Sequence, residues 1–246
     1  MPRPRAASVV SPGVRPAPDV PTFNLGIALG AWAGAFVFST VGGVILLNLL
    51  GYADTTSDDW PIWLVGVLQI PLWVGLVGAL VVVSKHWGTG HPRRDYGLRF
   101  LPIDVIGVPI GVLTQLVFVQ ALYWALPFID RDEVSEVAES LTNRAEGWGV
   151  VLLATLVVVG APLVEELFFR GLVLRAIQSR YSDWLAVVGS AVLFALVHFQ
   201  LVQLPALLLF GLIVGYLALR TRRLGMSIFA HAGFNATTIV YLLASR

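Results

Sequence analysis

Long apolar blocks constrain this chain more than anything else in it. Seven can be marked, at about residues 24–50, 61–84, 104–126, 149–172, 185–200, 204–220 and 226–244. A bilayer core of about 30 Å needs roughly 20 apolar helical residues to cross it. Backbone in lipid must satisfy its own hydrogen bonds, which leaves only helices and closed barrels. Barrel strands read as short alternating segments, and this sequence has none. The blocks predict an all-α polytopic integral membrane bundle of about seven transmembrane helices. Composition agrees, with 57% of the 246 residues hydrophobic and 13% charged, whereas soluble domains are about a quarter charged.

Charge between the blocks predicts an orientation. Arg3, Arg5 and Arg15, then Lys85, Arg93, Arg94 and Arg99, alternate with DTTSDD at 54–59 and the acidic stretch from Asp130 to Glu146. Basic turns return at Arg175 and Arg180 and at Arg220, Arg222 and Arg223. Basic loops favour the cytoplasm, so the N-terminus is expected inside, in a plasma membrane. Trp60, Trp63, Trp87, Trp124, Trp148 and Trp184 fall near expected helix ends, as an interfacial belt requires. The Pro- and Arg-rich opening reads as a disordered cytoplasmic tail over 1–22, followed by an uncleaved anchor helix. Residues 23–147 read as N-terminal transmembrane helices with a polar, partly amphipathic connection, and 148–246 as a catalytic bundle. The fifth and sixth blocks are short, and the connection HFQLVQLP between them carries no formal charge. They predict a hairpin whose apex stays inside the bilayer, shielded by protein. A net charge of +1 gives no ground for nucleic-acid binding, and a chain without cysteine has no disulfides or thiolate metal ligands. Membrane lipid is the one partner that composition implies.

Ionisable groups inside spans cost about 2.5–3.5 kcal/mol each on insertion scales and mark function by default. Here they are Glu165, Glu166, Arg170, His198 and His231, with the amide of Asn235. Glu166 and Arg170 are four residues apart, on one helical face in the favourable order for an ion pair. Glu165 is turned about 100° away and is left less fully paired, as a general base needs to be. His231 and Asn235 share a face, and Phe194 and His198 repeat that spacing. A carboxylate, two imidazoles and an amide directed at one pocket can activate water and stabilise a tetrahedral oxyanion, as peptide-bond hydrolysis requires. Gly171, Gly211, Gly215 and Gly233 let the helices approach closely enough. Asn48, Gln69, Thr114, Gln115 and Gln120 read as packing groups, His86 and His91 as solvated, and Arg175 and Arg180 as a basic surface.

EELFFR (165–170), FALVH (194–198) and HAGFN (231–235), in that order, carry the patterns EExxxR, FxxxH and HxxxN. Together they resemble the CPBP family of intramembrane proteases, also called the Abi or CAAX-protease-like family, over about residues 148–246. The resemblance implies an endopeptidase acting on a membrane-associated peptide or protein, a prenylated CAAX-like tail among the substrates. It implies that Glu165 is the general base, that Glu166 and Arg170 support it, and that His198 positions or polarises water. His231 and Asn235 would stabilise the oxyanion. Glu165, His198 and His231 also make a set that a catalytic zinc would use. There is no HExxH, however, and a metal-free glutamate mechanism stays open beside it. The expected site is a cavity in the inner half of the bilayer, with the short fifth helix and a tilted or extended fourth bringing Glu165 and His198 to one depth. A proton-coupled transporter and a catalytically silent immunity or scaffold protein are the competing classes.

Overall fold

The computed structural model describes residues 21–129 and 131–246, the side chains of 131 and 132 excepted. The tail expected over 1–22 lies outside the described residues apart from its last two. Among those described there are helices and no strands. Helices α1 (Leu25–Leu50), α2 (Ile62–Trp87), α3 (Pro102–Trp124), α5 (Trp148–Gln178), α7 (Leu204–Thr221) and α8 (Gly225–Ala244) are long and apolar enough to cross a membrane. Helix α4 (Arg131–Arg144) is the amphipathic connection, and α6 (Asp183–Leu196) is apolar but shorter. The polytopic all-α bundle of about seven apolar helices is therefore what forms.

Side-chain clamps define the two ends of this bundle. At one end Arg144 Nη1 donates to the carbonyls of Ser57, Asp58 and Trp60, tying the end of α4 to the α1–α2 loop. Arg246 reaches the Ala145 carbonyl at 3.1 Å, which brings the tail of α8 to the same end. At the other end Asp95 is buried and accepts from Ser84 and Thr89, closing the turn after α2. There too Arg223 grips Asp104, with Nη2 2.7 Å from Oδ1. Asp104 also accepts from the Leu101 amide at 2.8 Å, so one carboxylate starts α3 and fixes the turn between α7 and α8.

That clamp sets the register of α8 against α3, and glycines let their backbones touch. A Cβ at Gly111 would stand 1.9 Å from the Ala230 carbonyl oxygen. One at Gly233 would stand 2.4 Å from that of Val108. Lipid offers little hydrophobic drive between helices, so close backbone approach of this kind carries much of the association. The same logic joins α6 to α7, where a Cβ at Gly211 would meet Ala191 Cα at 3.0 Å.

Two boundaries differ from the sequence expectation. The fourth block was expected to stop near 172, but α5 runs unbroken to Gln178 over 31 residues. The fifth was expected to reach 200, but α6 ends at Leu196 and Phe199 takes the left-handed conformation with φ 54°. His198 therefore sits in the first turn past the helix rather than on it. At 1.5 Å per residue, Glu165 lies about 20 Å from the end of α5 and His198 about 22 Å from the start of α6. The chain ends near Gln178 and Asp183 adjoin, so the longer fourth span and shorter fifth put the two residues at similar depth.

Candidate active site

Helix α5 supplies the two glutamates and the arginine, and its backbone is unusual on either side of them. A π-helical stretch over Thr155–Gly160 precedes Ala161–Glu166, and a second over Leu167–Val173 follows. Such single-turn widenings gather at functional positions. The first has a cause in the sequence. The Ala161 amide bonds five residues back to the Leu156 carbonyl, so the next donor in that pattern, to Val157, is residue 162. That residue is Pro162 and has no N–H. The orphaned Val157 carbonyl is instead taken by Asn235 Nδ2 from α8, at 2.7 Å.

Glu166 and Arg170 pair at 3.0 Å with both side chains fully buried, as their four-residue spacing predicts. Arg170 does more than neutralise its partner. Its Nη2 donates to the Gly211 carbonyl on α7 at 3.2 Å, and its guanidinium lies 4.5 Å from the ring centroid of Phe194 on α6. One side chain thus holds α5, α6 and α7 together. Ser190 adds a bond from α6 to the Phe169 carbonyl at 2.9 Å, inside the second π-helical stretch.

His231 joins the two glutamates. Its Nδ1 stands 3.0 Å from Glu166 Oε1, and its Nε2 is 3.7 Å from Glu165 Oε2. The first is a hydrogen bond in which Nδ1–H donates to the carboxylate. The second is an electrostatic approach, beyond hydrogen-bond length. Phe210 and Phe194 wall the imidazole at centroid distances of 4.8 and 5.9 Å. Glu166 has no exposed surface, whereas Glu165 keeps 22% of its side chain accessible. The adjacent carboxylates therefore occupy different surroundings, one locked and one reachable.

The remaining groups divide. His198 stacks edge-on against Phe194 at 4.7 Å, so a single ring separates it from the Arg170 guanidinium and from His231. Its Nδ1 lies 2.7 Å from the Phe194 carbonyl. A carbonyl can only accept, so Nδ1 carries the proton and Nε2 is left with a lone pair. Asn235 lies one helical turn from His231, but one amide N–H is committed to Val157. Among the described residues no three His, Cys, Asp or Glu side chains gather as a metal-holding group. Glu165 and His231 approach each other and His198 is not gathered with them, so this donor set does not fit a zinc.

Sequence reasoning overlooked Phe194 as the surface on which Arg170 and both histidines rest, although it opens the FALVH motif. Pro162 was equally readable, since a proline inside a span always orphans a carbonyl. The Asp104–Arg223 clamp spans 119 residues, and no local pattern announces it.

An α-helical bundle with charged groups buried among spans defines the class: a polytopic integral membrane protein. Residues 147–237, in the C-terminal helices, match the family described as type II CAAX prenyl endopeptidase Rce1-like. The matched segment contains all three motifs, at 165–170, 194–198 and 231–235. Among curated proteins it is 26% identical over 214 residues to "Putative membrane peptidase YdiL" of Bacillus subtilis, covering 84% of each chain. It is 24% identical over 189 residues to "UPF0177 protein YbdI" of Lactococcus lactis, covering 76% of this chain and 97% of that one. No solved structure matches it.

Proposed function

We propose that this protein is an intramembrane endopeptidase in which Glu165 activates water against a peptide bond of a membrane-associated substrate. The observation that carries this reading is the split environment of the glutamate pair around His231. Glu166 is spent on Arg170 and His231, while Glu165 remains accessible and beside the same imidazole. A base must reach its water, and only one of the two can.

In this mechanism a water bound to Glu165 gives up its proton to the carboxylate as its oxygen attacks the substrate carbonyl. His198 Nε2, with its lone pair, holds the other hydrogen of that water. The tetrahedral oxyanion is stabilised by the uncommitted N–H of Asn235 and by His231 carrying a proton on both nitrogens, its Nδ1–H on Glu166 and its Nε2–H toward the oxyanion. Collapse breaks the C–N bond, and the proton held on Glu165 passes to the leaving amine. Arg170 and Glu166 touch neither substrate nor water; they hold His231 and the three helices in place. Suitable substrates are peptides or proteins tethered to the membrane, lipidated tails included, because the groups lie within the spans of α5 and α8.

Membrane proteomics tests this directly. Cells carrying the intact protein are compared with cells carrying Glu165→Gln at equal abundance. New peptide termini that appear only with the intact protein support the reading; identical terminal profiles contradict it.

A further inference from the structure

At the basic end of the bundle a cavity of about 440 Å³ opens between the ends of α5 and α7 and reaches inward to Arg170, the partner of Glu166. Its polar lining is Arg170, Arg175, Arg220, Arg222, Gln178 and Asp183, and the rest is apolar. Asp183 is the one carboxylate among these, and it is already engaged by Gln178 at 2.6 Å. Arg220 and Arg222 are exposed and, among the described residues, have no carboxylate partner. Among the described residues, Arg175 donates to the Arg222 carbonyl, at a long 3.5 Å. Arg222 caps the C-terminus of α7 in the left-handed conformation, φ 54°, a common way for a helix to end.

A positive loop alone is explained by membrane topology. Two observations go beyond that. The arginines line a cavity rather than a convex surface, and one of them, Arg170, is 1% exposed with an Nε that has no hydrogen-bond partner. A buried unpaired donor costs about 1–3 kcal/mol, and an anion in the cavity would lower that cost. Guanidinium groups match phosphate oxygens in fork geometry.

We propose that this cavity binds a net-anionic, phosphate-bearing group, supplied in the membrane by the headgroup of an acidic phospholipid. It lies where the spans α5 and α7 end, at headgroup level, with apolar lining for the start of an acyl chain. The site is independent of the peptidase assignment and would stand if that assignment fell.

Thermal unfolding of the full chain in neutral detergent tests it, with dioctanoyl phosphatidylglycerol, dioctanoyl phosphatidylcholine or inorganic phosphate added. Ligand that binds the folded state raises the midpoint with concentration. Phosphatidylglycerol is expected to do so saturably and phosphatidylcholine not. Arg220→Gln with Arg222→Gln should weaken the apparent affinity about tenfold or more. Removing the same charge at the exposed Arg93 and Arg94, as Arg93→Gln with Arg94→Gln, should leave it unchanged. A rise with inorganic phosphate alone would keep the site and assign it to free phosphate rather than lipid. Equal shifts with both lipids, equal losses in both double variants, or no shift with any probe would overturn the proposal.

Discussion

His231 sits between two carboxylates of opposite character, and most of the residue-scale expectations follow from that position. Glu165→Gln keeps the shape of the side chain and removes the base, so turnover should fall about 10²–10⁴-fold with the melting midpoint unchanged. Arg170→Ala leaves Glu166 as an uncompensated buried charge, a loss of about 3–5 kcal/mol readable by denaturant titration in micelles. Replacing both partners, as Glu166→Gln with Arg170→Met, should recover much of that stability while activity stays lost, because His231 is no longer held by charge. Asn235→Ala strips the Val157 carbonyl of its donor and should cost about 1–3 kcal/mol. Adding Pro162→Ala restores a backbone N–H within reach of that carbonyl. The double variant should therefore melt above Asn235→Ala alone, and equal midpoints would refute the proposed cause of the first π-helical stretch.

Among the elements, α5 and the α6–α7 hairpin decide whether the groups can meet. The hairpin apex is held by protein on two sides: Tyr123 OH donates to the Val202 carbonyl at 2.8 Å, and Gln203 Nε2 to that of Val134 at 2.9 Å. A cysteine placed at Gln203 should therefore react slowly with an impermeant maleimide, and labelling as fast as at Asp54 would count against a shielded apex. Much of this scale was legible in advance. Glu166 and Arg170 pair because their spacing leaves them no better option in lipid. The departure at His198 was not legible, because apolar periodicity continues through Phe199 and Leu201 while the backbone turns. The contacts that set helix register, Gly111 on Ala230 and Asp104 on Arg223, were hidden for a different reason. They join residues more than a hundred positions apart, and nothing in either local stretch names its partner.

For the whole molecule, hydrogen bonds sort the loops into two ends without reference to any membrane. Arg144 and Arg246 mark one end, and the Arg223–Asp104 and Arg175–Arg222 contacts mark the other. The second end gathers Lys85, Arg93, Arg94, Arg99, Arg175 and Arg180 with the 220–223 turn, which supports placing it in the cytoplasm. Glu165 lies about 20 Å along α5 from that end, within the apolar span. The account stands or falls on whether Glu165 makes a water molecule attack a peptide bond there. Purified protein in liposomes, given the membrane peptides whose termini depend on it and run in ¹⁸O-water, reads this out by mass spectrometry. The account predicts one ¹⁸O in each new C-terminal carboxyl and no product from folded Glu165→Gln; cleavage by that variant at the intact rate would contradict it.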